Sequence, residues 1–205
     1  GARFLVEHHP ELFKGVRYAL GEVGGFSMYV GGKRFYPIEV AQKQKCGIRA
    51  IVSGPSGHGS THLRGGAMAK LGELLKRLDE CRLPVHVTQP AEMMILSMAK
   101  ELSFPTSWIL RKLLNPRWTD FLMRLLGEKL DVFVPMFHNT VNATIVKGGE
   151  RINVIPHEIE VQMDVRLLPG QDPDDVIREL RPIVGPDVQL ELMFFDRGPE
   201  EHDMG

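Results

Sequence analysis

The stretch Glu158-Ile159-Glu160-Val161-Gln162-Met163-Asp164-Val165-Arg166-Leu167 alternates without a break. Ile159, Val161, Met163, Val165 and Leu167 fall on one side, and Glu158, Glu160, Gln162, Asp164 and Arg166 on the other. Successive side chains of a strand point to opposite faces, so this reads as a strand of an antiparallel sheet covered on one face. Just beyond it, Pro169-Gly170 turns the chain. Asp172 then suits a helix N-cap, Pro173 the first helical position, and Asp174 and Asp175 the positive helix start. Val176, Ile177, Leu180, Ile183 and Val184 supply the buried stripe of that helix, and Val188, Leu190, Leu192 and Phe194 alternate as a last strand.

Upstream, Thr140 to Lys147 reads as a strand closed by Gly148-Gly149, and Ile48 to Val52 as another. A Gly/Ser-rich loop from Ser53 to Ser60 follows the latter. Ala67, Leu71, Leu74, Leu75 and Leu78 then mark one face of an amphipathic helix, which Pro84 ends. From about Pro84 to Val134 the pattern is helical. Ala91, Met94, Ile95, Met98 and Leu102 share a face. Trp108 to Leu114 and Trp118 to Leu126 form two more short helices on either side of Asn115-Pro116, with Trp118, Phe121, Leu122, Leu125 and Leu126 at helical spacing. This Met and Leu stripe reads first as core and second as a partner surface. Without the helical stretch, the order from Gly47 to Phe195 is strand, helix, strand, strand, helix, strand. That is the ferredoxin-like split β-α-β order of the α+β class: a four-stranded antiparallel sheet with two helices on one face. The helical stretch is then an insertion between the first helix and the second strand. Before this unit, Ala2 to Val6 suits a short helix and Val16 to Leu20 a buried strand, while Gly31-Gly32-Lys33 turns a hairpin between Phe26–Val30 and Arg34–Val40.

The chain has 205 residues, enough to bury a core without disulfides or metals. With 43% hydrophobic and 25% charged residues it has a globular composition. A formal net charge of -1 gives no global electrostatic case for nucleic acid or an anionic membrane, and leaves room for a local basic patch. Neither nucleic acid nor membrane is expected as a partner. Cys46 and Cys81 make no disulfide framework or metal knuckle. No apolar run approaches the roughly 18–20 residues of a membrane span, and no signal peptide is visible, so the expected location is cytoplasmic. The first residue is Gly1 rather than Met, as expected of a processed or excised piece.

Three constellations have chemical potential. The loop Ser53-Gly54-Pro55-Ser56-Gly57-His58-Gly59-Ser60 sets one His among small residues between a strand and a helix. Such a His can donate to an oxyanion or carry a proton; the plainer reading is a solvated loop. His58 and His62 are four apart, but Gly65-Gly66 so close by argues against a helical metal pair. Second, Asn153 lies two residues before Ile155-Pro156, and Arg166 lies thirteen residues on, on the polar face of its strand. Together they can hold a carboxylate, Arg through its bidentate fork; the plainer reading pairs Arg166 with Asp164, Glu160 or a neighbouring strand. Third, Glu22 stands beside Gly21 and Gly24-Gly25, as a ligand-binding carboxylate or a surface turn.

Taken jointly and in order, these segments resemble the zinc amidohydrolases that include aminoacylase, carboxypeptidase G, succinyl-diaminopimelate desuccinylase and carboxypeptidase S. The resemblance rests on Tyr18-Ala19-Leu20-Gly21-Glu22-Val23-Gly24-Gly25, Gly54, Gly57-His58-Gly59-Ser60, Gly148-Gly149, Asn153-Val154-Ile155-Pro156 and Asp164-Val165-Arg166-Leu167-Leu168-Pro169-Gly170. The long helical stretch looks most like the carboxypeptidase S-type branch. By this resemblance, residues 1–45 are the tail of a catalytic domain. Residues 46–197 are its lid or dimerisation domain, with the insertion at about 84–134, and residues 198–205 are a return linker. The resemblance implies that Glu22 binds metal and that His58 polarises the scissile carbonyl, often in the other subunit's site. It implies that Asn153 and Arg166 grip the substrate.

The family's upstream His-x-Asp and Glu-Glu motifs and its downstream His have no counterpart in the sequence. The expectation is therefore the lid part of a zinc-dependent amidohydrolase or exopeptidase acting on N-acyl amino acids or small peptides, inactive as this piece. One or two zinc ions belong to the parent enzyme and none is expected on this chain. A homodimer through the lid is expected. The alternative is a free-standing ferredoxin-like dimerisation or ligand-binding module without catalysis.

Overall fold

A computed structural model describes residues 1–16, 26–127 and 130–198. The chain divides into two compact units, Gly1–Glu39 and Val40–Gly205. In the first, helix α1 (Ala2–His8) precedes a 3₁₀ turn at Pro10–Phe13, and strands β1 (Met28–Val30) and β2 (Lys33–Phe35) form a hairpin. Its two-residue turn has Gly31 at φ 57° and Gly32 at φ 79°. Two consecutive positive φ values are what a type I′ turn demands, and glycine meets them without a Cβ clash. The strands are shorter than the flanking apolar runs suggest. Of the strand expected at Val16 to Leu20, residues 17–20 lie outside the described residues, as does Glu22.

The second unit contains β3 (Gln44–Ser53), β4 (Gly57–His58), α2 (Ala67–Glu80), α3 (Gln89–Glu101), α4 (Thr106–Lys112), α5 (Pro116–Leu126), α6 (Val134–Phe137), β5 (Thr140–Lys147), β6 (Val154–Ile155), β7 (Glu158–Leu167), α7 (Pro173–Val184) and β8 (Gln189–Asp196). The main sheet has the order β5-β7-β3-β8 with every pair antiparallel. That order, with α2 and α7 as the two helices, is the ferredoxin-like fold.

Strand β7 spans the residues its alternation marks. Ile159 is buried, and Val161, Met163, Val165 and Leu167 are buried in one cluster with Cys46, Ile48, Ala50 and Val52 of β3. Leu74 of α2 and Val176, Leu180 and Val184 of α7 cover them. On the other face, Arg49 bridges the strands beside it, pairing with Glu160 of β7 at 3.3 Å and with Glu191 of β8. Helix α7 begins with a capping box. The Asp172 carboxylate accepts from the backbone N–H of Asp174 and Asp175, and Asp175 accepts from Asp172 N–H. Between α2 and β5 the insertion forms its own buried set, including Ile95, Met98, Leu110, Leu113, Leu122, Met123, Phe133 and Phe137.

Candidate functional site

The long β3–β7 ladder ends at Ser53 opposite Glu158, but the two chains stay together beyond it. Gly54 N–H donates to His157 O at 2.8 Å, and β4 then pairs with β6, Gly57 opposite Ile155 and His58 opposite Val154. Gly59 N–H donates to Asn153 O at 2.8 Å. His58 and Asn153, far apart in sequence, are thereby held side by side at one end of the sheet. Gly54 has a steric reason to be glycine: a Cβ there would stand 2.4 Å from the backbone N of Ala67, where α2 begins. This close approach fixes the start of the loop against a helix.

The His58 ring is oriented by its own turn. Its Nδ1 lies 2.8 Å from Ser60 Oγ and accepts from Ser60 N–H at 3.3 Å. A backbone N–H can only donate, so in the neutral ring the proton resides on Nε2. Thr61 pins the backbone at the same place, its N–H and hydroxyl both donating to His58 O. The imidazole is solvent-exposed, and so is Asn153. The chemistry available is that of a positioned Nε2–H donor beside an amide side chain. It suits an oxygen on which negative charge develops.

Arg166 sits elsewhere. It pairs with Lys45 of β3 and Thr140 of β5, at the opposite end of β7 from Glu158. Eight steps along the strand take Glu158 to Arg166, about 26 Å at the usual rise, and His58 lies beyond Glu158. One protomer therefore brings His58 and Asn153 together and leaves Arg166 apart. The Arg166 fork engages Asp164, Nε to Oδ1 at 3.0 Å and Nη2 to Oδ2 at 3.1 Å. That is the plainer pairing foreseen for it, and it holds the guanidinium in plane at the sheet surface.

Lys43, just before β3, is not among the candidate site residues of the sequence. Its Nζ donates to His138 O at 2.7 Å, and burial, helped by the Arg166 charge, pushes its ammonium down to about 8. With Lys45 opposite Arg166, three cations gather at this end of the sheet, together with Asp164 and with Asp196 opposite Lys45. Next to it the turn Pro169–Gln171 lines an open cavity of about 470 Å³ with His86, Thr88 and Gln89 of the insertion. His86 is engaged there by Glu179, which also accepts from Asn139 at 3.0 Å.

Among the described residues, no group of three or more His, Cys, Asp or Glu is gathered to hold a metal ion. The donors among the described residues therefore do not make up a zinc centre by themselves. Nor is any described helix long and apolar enough to cross a membrane.

Residues 40–188 match the Peptidase dimerisation domain of the M20 peptidases. The chain belongs to this family. Human N-fatty-acyl-amino acid synthase/hydrolase PM20D1 is 26% identical over 148 residues, 72% of this chain and 29% of that protein. The Bos taurus protein of the same name is 26% identical over 164 residues, 80% of this chain and 32% of its own length. The chain thus spans about a third of the curated relatives it matches. Among solved structures, the di-peptidase Dug1p from Saccharomyces cerevisiae matches 75% of this chain and 36% of its own, at 14% identity and a TM-score of 0.44. The M20 family metallo-carboxypeptidase Sso-CP2 from Sulfolobus solfataricus matches 74% and 43%, at 17% identity and a TM-score of 0.40. The M20 relatives are hydrolases and peptidases, and residues 40–188 of this chain correspond to the dimerisation domain of that family.

Proposed function

We propose that this chain is the lid and dimerisation part of a zinc-dependent amidohydrolase or exopeptidase that cleaves amide bonds of N-acyl amino acids or small peptides. In this reading His58 and Asn153 of one subunit serve the same active site as Arg166 of the other. The observation that carries it is the separation along β7: His58 and Asn153 share one end of the sheet and Arg166 the other. A homodimer joins the two ends. Strand β5 is an open sheet edge, with Ile145 and Val146 exposed on it and Met68 exposed on α2. Unpaired edges invite strand pairing, and a two-fold axis makes that pairing antiparallel. Antiparallel pairing of two β5 strands sets the Arg166 end of one sheet beside the His58 end of its partner.

Each residue then has a task. The Nε2–H of His58 donates to the carbonyl oxygen of the scissile amide and binds it more tightly as negative charge develops, which accelerates the reaction. Asn153, beside it, orients the amide. Arg166 exchanges Asp164 for the substrate carboxylate in the same bidentate geometry, with Lys43 and Lys45 adding positive potential. The zinc, one or two ions, is assigned to ligands outside the described residues, with Glu22 as the ligand this chain supplies.

The test uses the complete polypeptide, co-expressing His58→Ala and Arg166→Ala chains. Each variant alone should lose about 10²–10³ in kcat/KM. A mixed dimer has one site carrying both substitutions and one carrying neither, so heterodimers should recover about half of the wild-type activity. Mixed dimers as inactive as the single variants would refute the shared site.

A further inference from the structure

Helices α4 and α5 expose an aromatic surface that the sheet chemistry does not use. Trp108 is 47% exposed, Trp118 42%, Phe121 52% and Leu125 66%. These are not scattered. Trp118, Phe121 and Leu125 recur along one face of α5, while Thr119, Leu122 and Met123 face inward and are buried. Trp118 and Phe121 meet edge to face with ring centroids 6.0 Å apart. Lys112 joins the two helices, its Nζ 5.6 Å from the Trp108 ring and 5.9 Å from the Trp118 ring.

The charges of these two helices are mostly positive. From Thr106 to Leu126 there are four cations, Arg111, Lys112, Arg117 and Arg124, and one acid, Asp120. The three arginines are exposed. Asp120 turns the other way, its Oδ1 3.5 Å from Nε2 of buried His138. The exposed side thus combines indole and phenyl rings, a Leu and cations.

We propose that the α4–α5 face of the insertion docks on the surface of an anionic lipid bilayer, lying in the interface rather than spanning it. Indoles favour the headgroup level, where the ring meets hydrocarbon and its N–H meets water. Phe121 and Leu125 enter the acyl boundary, and the Lys112 stem follows its ring neighbours while the ammonium reaches phosphate. Charge complementarity selects an anionic lipid over a second copy of this chain, whose matching face would carry the same cations. The near-neutral total charge gave no sign of this, because the cations are local.

The test exploits the tryptophan count: the chain has two, Trp108 and Trp118, both in the patch. The chain should float with mixed phosphatidylcholine–phosphatidylglycerol vesicles, more weakly with phosphatidylcholine alone, and detach at high salt. Its indole emission should shift to the blue on binding and be quenched by brominated acyl chains. The double substitution W118D/F121D should lower partitioning at least about tenfold, with an unchanged circular dichroism spectrum. Three results would overturn the proposal. One is no flotation with anionic vesicles, and another is equal flotation of the double variant. The third is self-association that W118D/F121D abolishes in a chain that ignores lipid.

Discussion

The four-stranded sheet and the helical insertion belong to one compact unit, yet they treat apolar side chains differently. In β3 and β7 the apolar face is wholly buried under α2 and α7. In the insertion, each short helix buries part of its apolar surface and turns the rest outward, with Trp108, Trp118, Phe121 and Leu125 as the result. A covered sheet face has one inside, and two packed helices suffice to close it. Helices of 7 to 13 residues that pack on one another have less to pack against. The sheet reads as stability and site geometry, and the insertion as surface.

The sharpest way to break this contrast is to remove one leucine from each region. Leu180 is fully buried between α7 and the sheet. Leu180→Ala should cost about 2–5 kcal/mol, transfer plus cavity, seen as a lower urea midpoint at constant slope. Leu125→Ala in the insertion should stay within about 0.5 kcal/mol of the wild type. Equal losses would mean that the exposed α5 face contributes to the fold.

The same contrast governs what could be read beforehand. The bounds of β5, β7 and α7 are legible because each is set by local pattern: strict alternation, a glycine stop, and the Asp172-Pro173 start. The pairing of β4 with β6 is not, since a two-residue ladder has no period to detect. It follows from the extension of the long β3–β7 ribbon past Gly54, and it alone puts His58 beside Asn153. The orientation of α5 was hidden for another reason. Trp118, Phe121 and Leu125 share helical spacing with Leu122 and Leu126, so the helix is apolar on adjoining faces. Periodicity finds such a helix but does not choose its buried side; the contacts of Thr119, Leu122 and Met123 do. Net charge likewise averages over the molecule and conceals a local patch.

A smaller effect separates the helix starts. Helix α7 of the sheet layer has the Asp172 capping box, while Thr88 before α3 makes no side-chain cap. Asp172→Ala should cost about 1 kcal/mol, because it strips acceptors from two backbone donors. Thr88→Ala should be close to neutral by the same thermal-melt measurement. A large loss at Thr88 would place a capping contact where none is seen.

A pH-dependent effect lies at the seam between the regions, where Lys43, next to β3, donates to His138 O at the exit of the insertion. Its ammonium is lowered from 10.5 to about 8, first by burial and second by the Arg166 charge. Between these values the unfolded chain binds a proton that the folded chain has released, so stability rises with pH across the window. Below about pH 8 both states are charged, and the cost of burying the ammonium is fully present. Above the unfolded value both are neutral and the cost is gone. Lys43→Met removes the group without opening a cavity, so the wild-type minus variant stability difference should climb from pH 8 towards pH 10.5. Arg166→Ala should move the onset of that climb upward, since it removes a like charge. A difference that stays flat across the window would mean that Lys43 keeps its proton, and that its ammonium is more open to water than its hydrogen bond to His138 implies.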